Sequence, residues 1–184
     1  PECTVHRMPS WRGLGRALDA ASQFPAFFNP RWVRLLLRVG AVVLTGTVVL
    51  GALLGSGYAA PSCPSFPDCA GRWWPTAAGW TALQPLSILT SVPQAGDPGG
   101  VTLNLLHRYS AMCTLILLGT AVVRAMREEQ RRRAAILVLV LLTTEVALGT
   151  LTVISGLAIS HGVCAAALLA AVATLLRSQV CRQQ

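Results

Sequence analysis

Charged side chains are scarce in this sequence, and lysine is absent altogether. Of the 184 residues only 12% are charged, about half the share that is usual in a soluble domain, whereas 53% are apolar. A soluble domain of this length would need a more highly charged surface. The composition therefore argues against a soluble protein and predicts an integral membrane protein. We expect the lipid bilayer to be one of its partners.

The charges that are present are strongly biased towards one sign. The sequence contains fifteen arginines and seven acidic residues, which gives a net charge of +8. A basic balance can indicate nucleic-acid binding. Here, however, 13 of the arginines lie before, between or after apolar stretches or, as Arg34 and Arg38 do, at the start of the first one. The positive-inside rule describes this distribution for cytoplasmic segments of membrane proteins. We therefore expect no nucleic-acid partner.

Four apolar stretches are each close to or above the ~20 residues that a helix needs to cross a bilayer. These predicted spans cover residues 34–59, 101–123, 134–154 and 157–176. The fold class expected from them is all-α: one integral membrane four-helix bundle over residues 34–176, without a soluble domain and without a recognisable internal repeat.

The arginine distribution predicts the orientation of this bundle. Residues 1–33, the charged 124–133 loop and the 177–184 tail should be cytoplasmic, so both termini lie inside and the 60–100 loop lies outside. The expected location is a bacterial inner membrane. Residues 11–24 fit either a short interfacial helix or an unstructured tail equally well.

Two histidines are placed at matching depth in this topology. His107 lies about two turns into the second span and His161 about one turn into the fourth, and both spans enter the membrane from outside. Ionisable residues inside a membrane are rare and are usually functional. Two facing imidazoles in a helix bundle are suitable axial ligands for a b-type haem. A single membrane histidine could instead bridge two helices by hydrogen bonds.

Three further groups accompany the histidines. Arg108 lies near the outer interface, where it could meet a haem propionate or reach towards lipid headgroups. Cys63 and Cys69 share the Pro-rich outer loop, where an oxidising environment favours a disulfide; it could be a structural staple or a redox-active pair. Glu145 lies near the middle of the third span, where it could relay protons, contact a quinol or bridge two helices.

The order and spacing of these motifs resemble the haem A synthase family. The shared features are the loop Cys63-Pro-Ser-Phe-Pro-Asp-Cys69-Ala-Gly71, then Asn104-Leu-Leu-His107-Arg108, then Glu145-Val-Ala-Leu-Gly149-Thr-Leu-Thr-Val153, and then Ser160-His161-Gly-Val-Cys-Ala165. The resemblance covers about residues 40–176.

This resemblance implies a four-helix unit with paired histidine ligands to haem and a cysteine pair that forms a disulfide in the outer loop. It implies oxidation of the haem O methyl group to a formyl group, with haem O as substrate and haem A as product. Full-length members carry two such units, whereas this sequence holds one, which a homodimer or a partner would complement. Members often have a glutamate three residues before the His-Arg pair, and Asn104 takes that position here.

Two other functions compete with the haem A synthase reaction. The first is a bis-histidine cytochrome b that transfers electrons as a subunit of a respiratory complex and has no catalysis of its own; Asn104 favours it, because an acidic group suited to proton transfer is missing. The second is a thiol–disulfide enzyme that uses Cys63 and Cys69, although these cysteines lack CxxC spacing.

Overall fold

The computed structural model describes residues 30–55, 62–83, 96–155 and 158–180. These residues form five helices, which are α1 (Pro30–Gly55), α2 (Ala77–Ala82), α3 (Pro98–Ala125), α4 (Glu129–Ser155) and α5 (Ala158–Val180). Four of them, all except α2, are long and apolar enough to cross a membrane. No strand occurs in the described ranges, so the predicted all-α membrane bundle is confirmed.

The four long helices form a ring in which each contacts two neighbours. Helix α1 packs against α3 and α5, and α4 packs against the same two helices. Gly40 and Gly51 of α1 face Leu118 and His107 of α3, so these two helices run antiparallel. The antiparallel pair α4 and α5 completes the bundle, which places α3 and α5 diagonally across from each other.

Local capping explains where α3 begins. The Asp97 carboxylate accepts the Gly100 N–H at 2.7 Å, and Pro98 occupies the first helical position, where its missing N–H costs nothing. The helix therefore starts three residues before the span expected from residue 101.

The other helix bounds also differ from the predicted spans. Helix α1 begins at Pro30, before the span expected from residue 34, and α5 continues to Val180, so the first residues of the expected 177–184 tail are helical. The proposed interfacial segment 11–24 lies outside the described residues.

The apolar core fills one half of the bundle. Its buried residues lie on the side of the α3–α4 connection, which carries the arginines; they are Leu37, Leu44, Leu118, Ala121, Val122, Ala125, Ala135, Val138, Leu142, Leu168, Ala171, Val172 and Leu175. In the other half, no residue of α4 from 143 to 153 is buried. The two histidines lie in this less densely filled half.

The outer surface of the bundle is apolar, as a lipid-facing surface should be. Val42, Ile116 and Val163 are 73%, 60% and 66% exposed, although they are large and hydrophobic. Exposed aromatic residues, which are enriched at membrane–water interfaces, follow in the loop between α1 and α3; they are Phe66, Trp73, Trp74 and Trp80. We attribute this exposure to lipid contact.

Candidate functional site

His107 of α3 and His161 of α5 meet across the diagonal of the bundle. Their ring centroids are 6.2 Å apart, and the ring planes are nearly perpendicular, at 87°. Both rings are partly buried. The structure thus brings together the two side chains that the sequence places at matching depth, although they are 54 positions apart.

The His107 ring is held by α1. Its Nδ1 lies 3.1 Å from the Thr47 carbonyl oxygen, which accepts a hydrogen bond when Nδ1 carries the proton. A Cβ on Gly51 would lie only 3.1 Å from His107 Cε1, so the absence of a side chain allows the ring to approach the helix. The Thr47 hydroxyl shares a buried 3.1 Å hydrogen bond with Thr114, which joins α1 to α3 beside the site.

The His161 ring contacts the equivalent positions of α4. Its Nδ1 lies 3.1 Å from Glu145 Oε1, and a Cβ on Gly149 would lie 3.2 Å from His161 Cε1. The distance fits an ion pair, but the contact lacks hydrogen-bond alignment, so Nδ1 of His161 and Oε2 of Glu145 are buried without a hydrogen bond. The Cys164 thiol, one turn further along α5, donates to the Leu141 carbonyl at 3.7 Å.

The acceptor residue and the glycine that contact each ring are here called its clamp. The two clamps have a common sequence pattern, which was not predicted from the sequence. In each, an acceptor residue precedes the ring-contacting glycine by four positions, as Thr47 precedes Gly51 and Glu145 precedes Gly149. Residues 42–53 and 140–151 are identical at seven of twelve positions. The repeat is too short to stand out between apolar helices, and the histidines that it serves lie on other helices.

The geometry of the pair fits a metal between the rings. Two imidazoles on opposite sides of one metal, each with a metal–nitrogen bond of about 2.0 Å, have ring centres roughly 6 Å apart. Because both Nδ1 atoms face acceptors, Nε2 is the nitrogen that each ring can offer. The sparsely filled half of the bundle that holds the histidines is compatible with a flat macrocycle, as are the small residues close to them in the sequence, Ser110, Ala111, Ser160 and Gly162. The residues present therefore fit a haem.

Arg108 contacts the cysteine loop. Its guanidinium donates hydrogen bonds to three loop carbonyls, of Ser65 at 2.9 Å, Pro67 at 3.0 Å and Asp68 at 2.6 Å. It also lies 5.4 Å from the centroid of the Phe66 ring, a cation–π distance. In the described structure, this side chain anchors the loop next to His107. The predicted contact of Arg108 with a haem propionate stays a prediction.

The cysteine loop is closed by a Cys63–Cys69 disulfide, with the two Cα atoms 4.8 Å apart. Both cysteines are buried, at 4% and 0% exposure, and pack against Val101 and Leu105 of α3. Exchange with another thiol requires access to a sulfur, so this burial favours the structural staple over a redox-active pair.

The turn that follows the loop is organised by Asp68. Ala70 and Gly71 both have positive φ, and the Asp68 carboxylate accepts the Gly71 N–H at 2.6 Å and the Ser65 hydroxyl at 3.0 Å. These two hydrogen bonds, that of Gly71 first, lower the pKa of Asp68 below its usual value. Tyr109 of α3 donates to the Trp73 carbonyl and stacks on Trp74, with ring centroids 5.2 Å apart.

Residues 10–173 match the model of the COX15-CtaA family, described as cytochrome oxidase assembly protein. The chain belongs to this family. The match covers the bundle from α1 to residue 173 of α5, and thus both histidines, both clamps and the cysteine loop. The resemblance seen in the sequence is therefore confirmed.

Two curated relatives of this COX15-CtaA chain are named heme A synthase. The protein from Shewanella oneidensis is 31% identical over 147 residues, which are 76% of this chain and 44% of the relative. That from Rhizorhabdus wittichii is 29% identical over 164 residues, 87% of this chain and 42% of the relative. The chain thus spans less than half the length of these relatives. No solved structure matches it.

Proposed function

We propose that this chain binds a b-type haem between His107 and His161 and serves one haem site of haem A formation. The observation that carries the proposal is the imidazole pair, with ring centroids 6.2 Å apart and each Nδ1 turned to an acceptor on a neighbouring helix. A haem held by two histidines has no open coordination position and is suited to passing electrons.

The relatives named heme A synthase support the reaction class. In the proposed reaction, a methyl group of haem O is oxidised to the formyl group of haem A. With water as the oxygen source, this step releases four protons and four electrons, and the electrons pass to an acceptor outside this chain. We propose that a second four-helix unit, such as that of a homodimer or a partner, provides the other haem site. A role only as an electron-transfer subunit is not favoured by the family membership.

The residues of this chain have separate tasks in the proposal. His107 and His161 would hold the iron through Nε2, with their rings fixed by Thr47 and Glu145. Arg108 ties the outer loop to α3 beside His107. The apolar half of the bundle keeps water from the cytoplasmic side of the site. Asn104 donates to the Gly100 carbonyl at 3.0 Å, within its own helix, and supplies no acid.

Haem binding can be tested on the purified protein. We expect a b-type reduced-minus-oxidised spectrum that is lost in His107→Ala and in His161→Ala. His6→Ala is the matched control, because it removes the remaining histidine, which lies in the predicted cytoplasmic segment. Full haem content in both bundle variants would contradict the ligand assignment.

The reaction itself needs a second experiment. Cells that produce haem O and this chain should yield haem A on pigment extraction, whereas cells with the His107→Ala variant should not. Haem-loaded protein without haem A above background would contradict the proposed reaction and support the electron-transfer alternative.

A further inference from the structure

The two histidines are held by equivalent positions but by different chemical groups. On α1 the acceptor four residues before the glycine is the backbone carbonyl of Thr47, whereas on α4 it is the side chain of Glu145. A backbone carbonyl is present whatever residue occupies position 47. On α4 the acceptor depends on the identity of residue 145.

Glu145 is also costly where it lies. It is the only Asp or Glu within the four membrane-crossing segments, and its side chain is 15% exposed. An acid inside a membrane is expensive and is retained where it has a defined partner. Its Oε1 lies 3.1 Å from His161 Nδ1, and the Cys164 thiol also lies beside this carboxyl group.

We propose that Glu145 is the positioning residue for His161: its carboxyl group would accept a hydrogen bond from Nδ1–H and leave Nε2 as the nitrogen that would hold the iron. The proposal rests on the proposed function, because it treats His161 as an axial ligand. Histidine ligands generally donate their second ring N–H to a carboxylate or a carbonyl, which fixes the tautomer and the ring orientation. In this chain, Glu145 and the Thr47 carbonyl are those two kinds of acceptor.

The misaligned contact is consistent with this assignment. Hydrogen bonds at functional sites are often long or poorly aligned before the bound group is present and tighten when it binds. Two buried polar atoms, Glu145 Oε2 and His161 Nδ1, have no hydrogen bond. A rotation of the carboxyl or the ring would align Nδ1–H with an Oε atom. Gly149 leaves the space beside the ring that such a rotation needs.

The test compares haem affinity across variants of Glu145 and of a second polar residue on α4. Apoprotein in detergent is titrated with haemin, and the dissociation constant is measured from the absorbance. Glu145→Leu should weaken binding by roughly 10- to 100-fold, the usual effect of removing such a partner. Glu145→Gln keeps an oxygen acceptor and should recover most of that loss. Thr143→Val is the matched control on α4, because the Thr143 hydroxyl is exposed and bonds to backbone carbonyls of its own helix, and this variant should bind haem like the wild type.

A second readout separates positioning from simple packing. The low-spin ferric electron paramagnetic resonance spectrum reports the angle between the two imidazole planes, and we expect its g values to change in Glu145→Leu but to be retained in Glu145→Gln. If the leucine variant does not fold, Glu145→Ala, which also lacks an acceptor, carries the same expectations.

The outcomes distinguish this proposal from the one on which it rests. If His161→Ala loses haem while Glu145→Leu binds it like the wild type with an unchanged spectrum, the positioning role is wrong and the haem site stands. Equal losses in the glutamine and leucine variants, or an equal loss in Thr143→Val, would also overturn it. Haem retained in both histidine variants would instead contradict the proposed function.

Discussion

At the scale of single residues, glycine decides how closely each imidazole approaches its supporting helix. Gly51 and Gly149 lie against Cε1 of the two rings at distances that leave no room for a relaxed Cβ contact. The ring can therefore reach an acceptor one turn away on the same helix. Two preorganised rings lower the entropy that must be lost when a ligand is bound between them.

The first prediction concerns these glycines. In Gly51→Ala, the new Cβ would lie 3.1 Å from His107 Cε1, so the ring must move away from the Thr47 carbonyl. We expect haem affinity to fall roughly tenfold, which corresponds to about 1.4 kcal/mol. Gly149→Ala should act similarly on His161. Haemin titration measures both effects.

Gly46→Ala is the control for this prediction, because a Cβ there would meet nothing within 4 Å. Alanine is also a better helix former than glycine by about 1 kcal/mol, so this variant should fold at least as well as the wild type and bind haem normally. Wild-type affinity in both ring-contacting variants would show that the close approach is not needed.

At the scale of elements, the helices were more predictable than their contacts. Apolar length alone predicts the four spans, and Pro98 and Asp97 explain why α3 starts earlier than hydropathy indicates. The pairing of His107 with His161 followed from topology and depth. The contact of Glu145 with His161 could not be predicted, because one acidic residue in an otherwise apolar helix does not indicate which side of the helix faces the rest of the bundle. The anchoring of Arg108 depends on the folded cysteine loop, whose carbonyl directions no sequence pattern encodes.

The second prediction concerns this anchoring. Arg108→Lys keeps the charge but loses the planar guanidinium that reaches three carbonyls at once. We expect this to destabilise the closed loop by about 1 kcal/mol, so that the loop opens more often. A soluble phosphine should then reduce the Cys63–Cys69 disulfide roughly fivefold faster. The rate of disulfide reduction is measured by maleimide labelling of the thiols that are released.

Arg72→Lys provides the comparison, because Arg72 is an exposed arginine of the same loop region. Its substitution should leave the reduction rate unchanged. Haem affinity of the Arg108→Lys protein, measured in parallel, tests the predicted propionate contact. An unchanged reduction rate in Arg108→Lys would contradict the anchoring role.

At the scale of the whole molecule, the bundle has two unlike halves. The apolar core lies towards the arginine-rich connection, and the histidines, the disulfide and the exposed aromatic residues lie towards the other end. The third prediction is that this second end faces outwards. Ala78→Cys should react with a membrane-impermeant maleimide in intact spheroplasts, and Arg127→Cys should react only after lysis. Both positions are exposed. The reverse labelling pattern would invert the topology.

The last prediction is the haem stoichiometry. Both proposed ligands belong to one chain and face each other within one bundle, with ring centroids 6.2 Å apart. Each chain should therefore hold one haem, whether the protein is a monomer or a homodimer. The protein is purified from cells that make no haem O. Its haem content is measured by the pyridine haemochrome, its chain concentration by amino-acid analysis and the mass of the assembly by sedimentation. A homodimer with one haem per two chains would mean that the ligands come from different chains, and the intrachain pair would then be wrong as the site.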